Sequence, residues 1–141
     1  MMEKIIVLFG GDSPERDVSI VSGNEVAAGL SSLGFDAILM DPIAYPALSD
    51  LLEAIKRESP KAVFNALHGG KGENGLLTAA LSLAGVSFTG SGFKAMCIAM
   101  DKHISKLLAQ AEGIPIAKSI LLRGDALADY QDPNDYSGIV D

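Results

Sequence analysis

The apolar positions of this chain fall into two alternating periods. Residues 4–9, Lys4-Ile5-Ile6-Val7-Leu8-Phe9, form an almost unbroken apolar run. That is the pattern of a strand covered on both faces, as in a parallel sheet. Over residues 17–33 the apolar positions change to a helical period at Val18, Val21, Val26 and Leu30, and Gly34 is placed to end that helix. Residues 35–40 predict a second strand, and Asp41-Pro42 with Tyr45-Pro46 mark a loop. Ser49 is expected to cap a helix reaching Glu58, with Leu51, Leu52 and Ile55 facing inward and Ser59-Pro60 stopping it. Residues 61–67, centred on Ala62-Val63-Phe64, predict a third strand. A helix over 76–84 ends at Gly85, and a short fourth strand covers 86–89. Gly90-Ser91-Gly92 turns into a helix running through Met100. Asp101 caps or continues a further helix over 102–111, which ends at Gly113, and 116–122 predicts a last strand.

Strands alternating with helices predict an α/β fold: a doubly wound, mostly parallel sheet with right-handed crossovers and helices on both faces. Ligands of such sheets sit at the carboxyl ends of the strands, where the winding reverses. With strand order 2-1-3-4, the first and third strands are neighbours at that point. Both are followed by glycine-rich turns: Gly10-Gly11-Asp12-Ser13-Pro14-Glu15-Arg16, and His68-Gly69-Gly70-Lys71-Gly72-Glu73-Asn74-Gly75, with four glycines in eight residues. Glycine permits conformations barred to other residues and close approach of a ligand, and the free N–H groups of a helix start favour an anion. The two turns would face each other across one crevice and bring Glu15, His68 and Glu73 together. The first turn is not a P-loop, for want of Gly-Lys-Ser/Thr, nor is it the dinucleotide fingerprint, since no Gly-x-Gly-x-x-Gly follows the first strand. The plainer alternatives stay open at this level. The glycines could only turn the chain, Glu15 could be a helix cap, and His68 could be satisfied by local backbone.

Composition narrows the function classes. Of 141 residues, 48% are apolar and 21% charged, a globular balance. The net charge of −7 argues against nucleic acid as a partner. The single cysteine, Cys97, allows no internal disulfide and suits a reducing cytoplasm. Its apolar helical setting predicts a small buried residue rather than a nucleophile. The apolar run after Lys4 is too soon interrupted to be a signal peptide, and no run reaches membrane-spanning length. After Arg123 the chain has no Lys or Arg, five aspartates (Asp125, Asp129, Asp132, Asp135 and Asp141) and turn signals at Pro133-Asn134 and Ser137-Gly138. No domain-closing element is expected there, and poor order is.

Three blocks of residues carry a family likeness. Gly-Gly-Asp-Ser-Pro-Glu-Arg-Asp-Val-Ser at 10–19, with Ser22-Gly23, resembles the opening of the D-alanine–D-alanine ligases. Ala66-Leu67-His68-Gly69 with Gly72-Glu73-Asn74-Gly75 resembles their second signature, and Phe88-Thr89-Gly90-Ser91-Gly92 with Met100-Asp101-Lys102 the third. The likeness extends from Lys4 to about Leu122. It departs at Asn74, where the family usually has aspartate, at Thr78-Ala79 in place of a common Gln-Gly, and at Ser82 in place of a common Glu.

The resemblance implies a Rossmann-like pre-ATP-grasp, substrate-binding domain over residues 3–99 and the start of an ATP-grasp central domain over 100–141. It implies ATP-dependent formation of D-alanyl-D-alanine for peptidoglycan, through an acyl phosphate, by a cytoplasmic homodimer using ATP and Mg2+. Neither cofactor is expected to bind tightly to this stretch alone, which would be inactive by itself, and no metal ligand falls among its residues. Glu15 matches the family's anchor for the first D-alanine ammonium group and counts as catalytic. His68 matches a residue near the same substrate, and Ser19 and Ser22 would cap or hydrogen-bond beside Glu15, Ser19 as a substrate contact. Lys102 matches a lysine that reaches ATP phosphates, while Gly10, Gly11, Gly69 and Glu73 brace the loops. The small apolar faces Ala27-Ala28-Gly29 and Ala79-Ala80-Leu81 are expected at the subunit contact. The contrasting reading is a free-standing, non-catalytic domain that binds a small molecule or a protein partner.

Overall fold

The computed structural model describes residues 2–119 and 121. Strand β1 (Lys4–Leu8) lies at the centre of a three-stranded parallel sheet, between β2 (Asp36–Met40) and β3 (Ala62–Asn65). Lys4 pairs with Asp36 and Leu8 with Met40 on one side; Ile5 pairs with Ala62 and Leu8 with Asn65 on the other. The unbroken apolar run has a physical reason. Ile6 and Leu8 point into a core with Met40, Leu51, Ile55, Val63, Leu77 and Leu81, while Val7 points the opposite way into a smaller core with Ala27 and Ala66. Successive strand residues alternate faces, so a strand covered twice is apolar throughout. Ile6, Leu8, Ile55 and Leu81 are fully buried, and burying such a side chain stabilises the fold by about 1.5–3 kcal/mol.

Helix α1 (Arg16–Ser32) covers the Val7 face, and α2 (Leu48–Glu58) and α4 (Leu76–Leu83) cover the other. The order β2-β1-β3 is the reversal of winding on which the meeting of the two glycine-rich turns was conditional. The fourth strand is reduced to one parallel bridge between Phe88 and Val63, held by Val63 N–H to Ser87 O (2.8 Å) and Thr89 N–H to Val63 O (2.9 Å). The contacts divide the chain into two compact units, the second beginning at Lys102. In the first unit α5 (Phe93–Met100) follows the bridge; in the second, α6 (Lys102–Ala111) ends where Ile114 N–H reaches back to Ala109 O.

Several expectations need correction. The cap of α2 is Ala47, whose N–H donates to the Asp50 carboxylate at 3.0 Å. Asp50 therefore takes the role expected of Ser49, which lies inside the first turn. The second glycine-rich turn contains a single helical turn, α3 (Gly70–Glu73). Residues 116–119 form no strand. Cys97 is exposed, and its thiol donates to Asn74 O at 3.0 Å. Ala27 and Leu81, expected at a subunit contact, are buried in the chain's own cores. The acidic tail expected to be poorly ordered lies outside the described residues.

Candidate functional site

The first glycine-rich loop leaves β1 in a conformation that only glycine tolerates, with Gly10 and Gly11 both at φ +75°. A Cβ at Gly10 would stand 2.6 Å from Asp41 Oδ2 and 2.8 Å from an Arg16 guanidinium nitrogen. The loop is then held from several sides. Gly10 N–H donates to Ser19 Oγ (2.8 Å), and the same hydroxyl donates to Ala66 O at 2.8 Å. Ser13 Oγ donates to His68 O (2.5 Å) and accepts from Glu15 N–H (3.1 Å). One serine thus ties the first loop to the second and sets the backbone of Glu15.

Ser19 is fully buried, with its hydroxyl donating and accepting inside the protein. It braces the loop from beneath and does not face the crevice, which corrects its expected place as a substrate contact.

At the crevice itself, Glu15 is the exposed residue preceding α1 and makes no side-chain cap. Its carboxyl lies beside the second loop: a Cβ at Gly69 (φ +68°) would fall 3.6 Å from Glu15 Cδ and 3.3 Å from Ser13 Oγ. His68 Nε2 pairs with Ser22 Oγ at 3.0 Å, and its Nδ1 lies 3.8 Å from Glu73 Oε1. Glu73 stands beside His68 rather than free in the crevice. Asn74 Oδ1 accepts from Leu76 N–H at 3.1 Å, opening α4 as an aspartate would. Thr78, another departure from the family pattern, is buried and donates to Gly75 O at 3.1 Å.

Pattern reading missed two residues. Arg16 donates through Nη1 to Gly11 O (2.8 Å) and through Nη2 to Asp41 Oδ2 (2.7 Å). Asp41 Oδ1 accepts from Gly11 N–H (3.0 Å) and from Ile43 N–H (3.2 Å). Partial burial pushes the Asp41 carboxyl up. The hydrogen bonds from Arg16, Gly11 and Ile43 and the Arg16 charge outweigh that and hold it below its ordinary value. The signal was available: Asp41 directly follows β2, so strand order 2-1-3 puts it beside the loop after β1. A second ion pair, Lys71–Asp12 at 2.8 Å, bridges the two loops on their exposed side, and its lysine lowers the Asp12 carboxyl.

Between the loops and the 42–48 segment lies a cleft of about 560 Å³, walled by Tyr45, Leu48, Leu51, Leu67 and Leu77. It lies on the α2/α4 side of the sheet; Glu15 and Ser22 do not line it. Lys102 is exposed at the start of α6, in the second unit.

Sequence comparison matches this arrangement to known enzymes. The chain is 45% identical over 126 residues to the D-alanine–D-alanine ligase of Burkholderia vietnamiensis, covering 89% of this chain and 39% of the relative. It is 43% identical over 130 residues to that of Actinobacillus pleuropneumoniae, covering 92% and 41%. Over about nine-tenths of its length the chain is similar to D-alanine–D-alanine ligases. Among solved structures, the Bacillus anthracis D-alanine–D-alanine ligase complexed with ATP superposes with a TM-score of 0.70 at 32% identity, over 94% of this chain and 44% of that one. No family model matches the chain. The chain spans about two-fifths of the length of the curated ligases it matches.

Proposed function

We propose that this chain forms the first-substrate side of a ligase that joins two D-alanine molecules at the expense of ATP, making a dipeptide for peptidoglycan. The observation that carries the reading is the convergence of the two glycine-rich loops at the carboxyl ends of β1 and β3. There the Glu15 carboxyl lies against Gly69, next to His68. The reaction needs the first D-alanine held by its ammonium group while its carboxylate is activated by phosphorylation and then attacked by the second amine. An exposed carboxylate can make a charge-assisted hydrogen bond to an ammonium. Glu15 fills that role. His68, steered by Ser22 and Glu73, flanks the same substrate, and Lys102 faces the ATP phosphates in the assembled enzyme.

Among the described residues no group of three or more His, Cys, Asp or Glu side chains could hold a metal ion. Magnesium is therefore assigned to no residue here. The single cysteine supports a cytoplasmic enzyme, and none of the described helices is long and apolar enough to cross a membrane. A homodimer belongs to the same reading.

The test is steady-state kinetics of Glu15→Gln in the full-length ligase. The change keeps size and removes charge, and a hydrogen bond to a charged group contributes about 1.5–3 kcal/mol. The KM for the first D-alanine should rise roughly tenfold to a hundredfold with little change in the KM for ATP. An unchanged D-alanine KM would leave Glu15 as a helix terminus only.

A further inference from the structure

Gly11 is gripped on both sides of its residue by two side chains that also grip each other. Its N–H goes to Asp41 Oδ1 (3.0 Å), its carbonyl takes a hydrogen bond from Arg16 Nη1 (2.8 Å), and Arg16 Nη2 closes the ring on Asp41 Oδ2 (2.7 Å). The ring reaches further through Ile43 N–H, which donates to Asp41 Oδ1 at 3.2 Å and joins the 42–48 wall of the cleft to the loop. The two side chains are partly shielded, at 35% exposure for Arg16 and 16% for Asp41. The pair is therefore less screened than the Lys71–Asp12 contact, at 72% and 60%. Arg16 also begins α1, immediately after Glu15, and its own N–H donates to Ser13 O at 3.1 Å. Gly11, Ser13 and Arg16 of one short loop are thus referred to a fixed point just after β2.

A loop of glycines has many accessible conformations, so a site built on it needs an external constraint to hold a carboxylate in one place. We infer that the Arg16–Asp41 clamp is that constraint: the two are positioning residues that fix the Gly10–Arg16 loop so that Glu15 meets the first amino-acid substrate. The inference rests on the reading of Glu15 as the ammonium anchor. Neither residue touches substrate. The clamp acts through the backbone of Gly11 and the turn from Ser13 to Arg16. A planar guanidinium is required, because two separate nitrogens serve two acceptors in a fixed fork; a lysine ammonium keeps the charge and loses that geometry.

The experiment compares Asp41→Asn, Arg16→Lys, Glu15→Gln and the double variant Glu15→Gln/Asp41→Asn in the full-length ligase, varying D-alanine and ATP separately. Small misplacements of a binding group cost up to about a hundredfold. Asp41→Asn and Arg16→Lys should each raise the D-alanine KM about tenfold and leave the ATP KM within about twofold. Because the clamp acts through Glu15, the double variant should be no worse for D-alanine than Glu15→Gln alone. Additive losses, or an equal shift in both KM values, would overturn the inference, as would a normal D-alanine KM in the clamp variants beside a raised one in Glu15→Gln. A normal D-alanine KM in Glu15→Gln would instead remove the anchor reading itself. Should Asp41→Asn fail to fold, Arg16→Lys, which keeps the ion pair's charges, carries the same test.

Discussion

Ser19 ties the first loop, helix α1 and the end of β3 together through one hydroxyl. Removing it leaves Gly10 N–H and Ala66 O buried without that partner, and such groups cost about 1–3 kcal/mol. Ser19→Ala should lower stability by that amount in urea unfolding. A variant as stable as the parent would mean that water replaces the hydroxyl. Asp41 makes a second residue-scale prediction. Its carboxyl is held below the ordinary value of 3.8 in the folded protein. Its contribution is therefore complete above that value and is lost as pH falls through the lowered one. Urea midpoints measured from pH 7 downward should drop in the parent below about pH 4, and the drop should be shallower in Asp41→Asn. Both residues show where pattern reading stops. Ser19 and Asp41 were visible as a serine in a helix and an aspartate before proline. Whether a hydroxyl turns to the crevice or to a buried carbonyl depends on how α1 sits on the sheet, and hydrophobic periodicity does not report that.

Helix α1 has two glycines with opposite expected behaviour. A Cβ at Gly23 would lie 2.3 Å from Phe9 Cβ, so that side of the helix rests directly on the end of β1. At Gly29 a Cβ meets nothing within 4 Å. Gly23→Ala should destabilise by about 1–3 kcal/mol through overpacking. Gly29→Ala should stabilise by about 0.5–1 kcal/mol through helix propensity. Chemical denaturation of the two variants against the parent checks both signs. The elements themselves were largely legible because β1 is apolar on both faces and α1 and α2 keep a helical period. The exceptions have local causes. The fourth strand has only Phe88 against Val63, since its neighbours turn away at Gly90. The Asp50 contact, invisible to periodicity, sets the cap of α2 at Ala47, two residues before Ser49.

At the scale of the molecule, the described residues hold one candidate anchor for a small ammonium-bearing substrate and no metal cluster. The chain spans about two-fifths of the curated ligases' length. Phosphoryl transfer needs charge neutralisation around the transferred group, and the proposed function assigns only Lys102 of the described residues to the phosphates. The 141-residue chain incubated with ATP, magnesium and D-alanine should therefore release no phosphate above background. Steady release at ligase-like rates would show that the chain by itself carries the chemistry. The crevice was legible as a whole because strand order decides which loops meet, and the order 2-1-3 on which it was conditional is the one the sheet adopts. Its inner arrangement was not, because His68 turns to Ser22 and Glu73 through contacts that hydrophobic periodicity does not report.

The central place of β1 also has a consequence in time. Every ladder partner of β1 comes later in the chain: Lys4 waits for Asp36, and Ile5 waits for Ala62. During synthesis its four apolar residues, Ile5 to Leu8, leave the ribosome before β2 and β3 and pair with neither until those strands follow. The parallel topology has no local hairpin to shelter them, and non-local pairing is slow because chain closure must precede it. The segment at the centre of the sheet is thus the one that must wait unpaired for both of its neighbours.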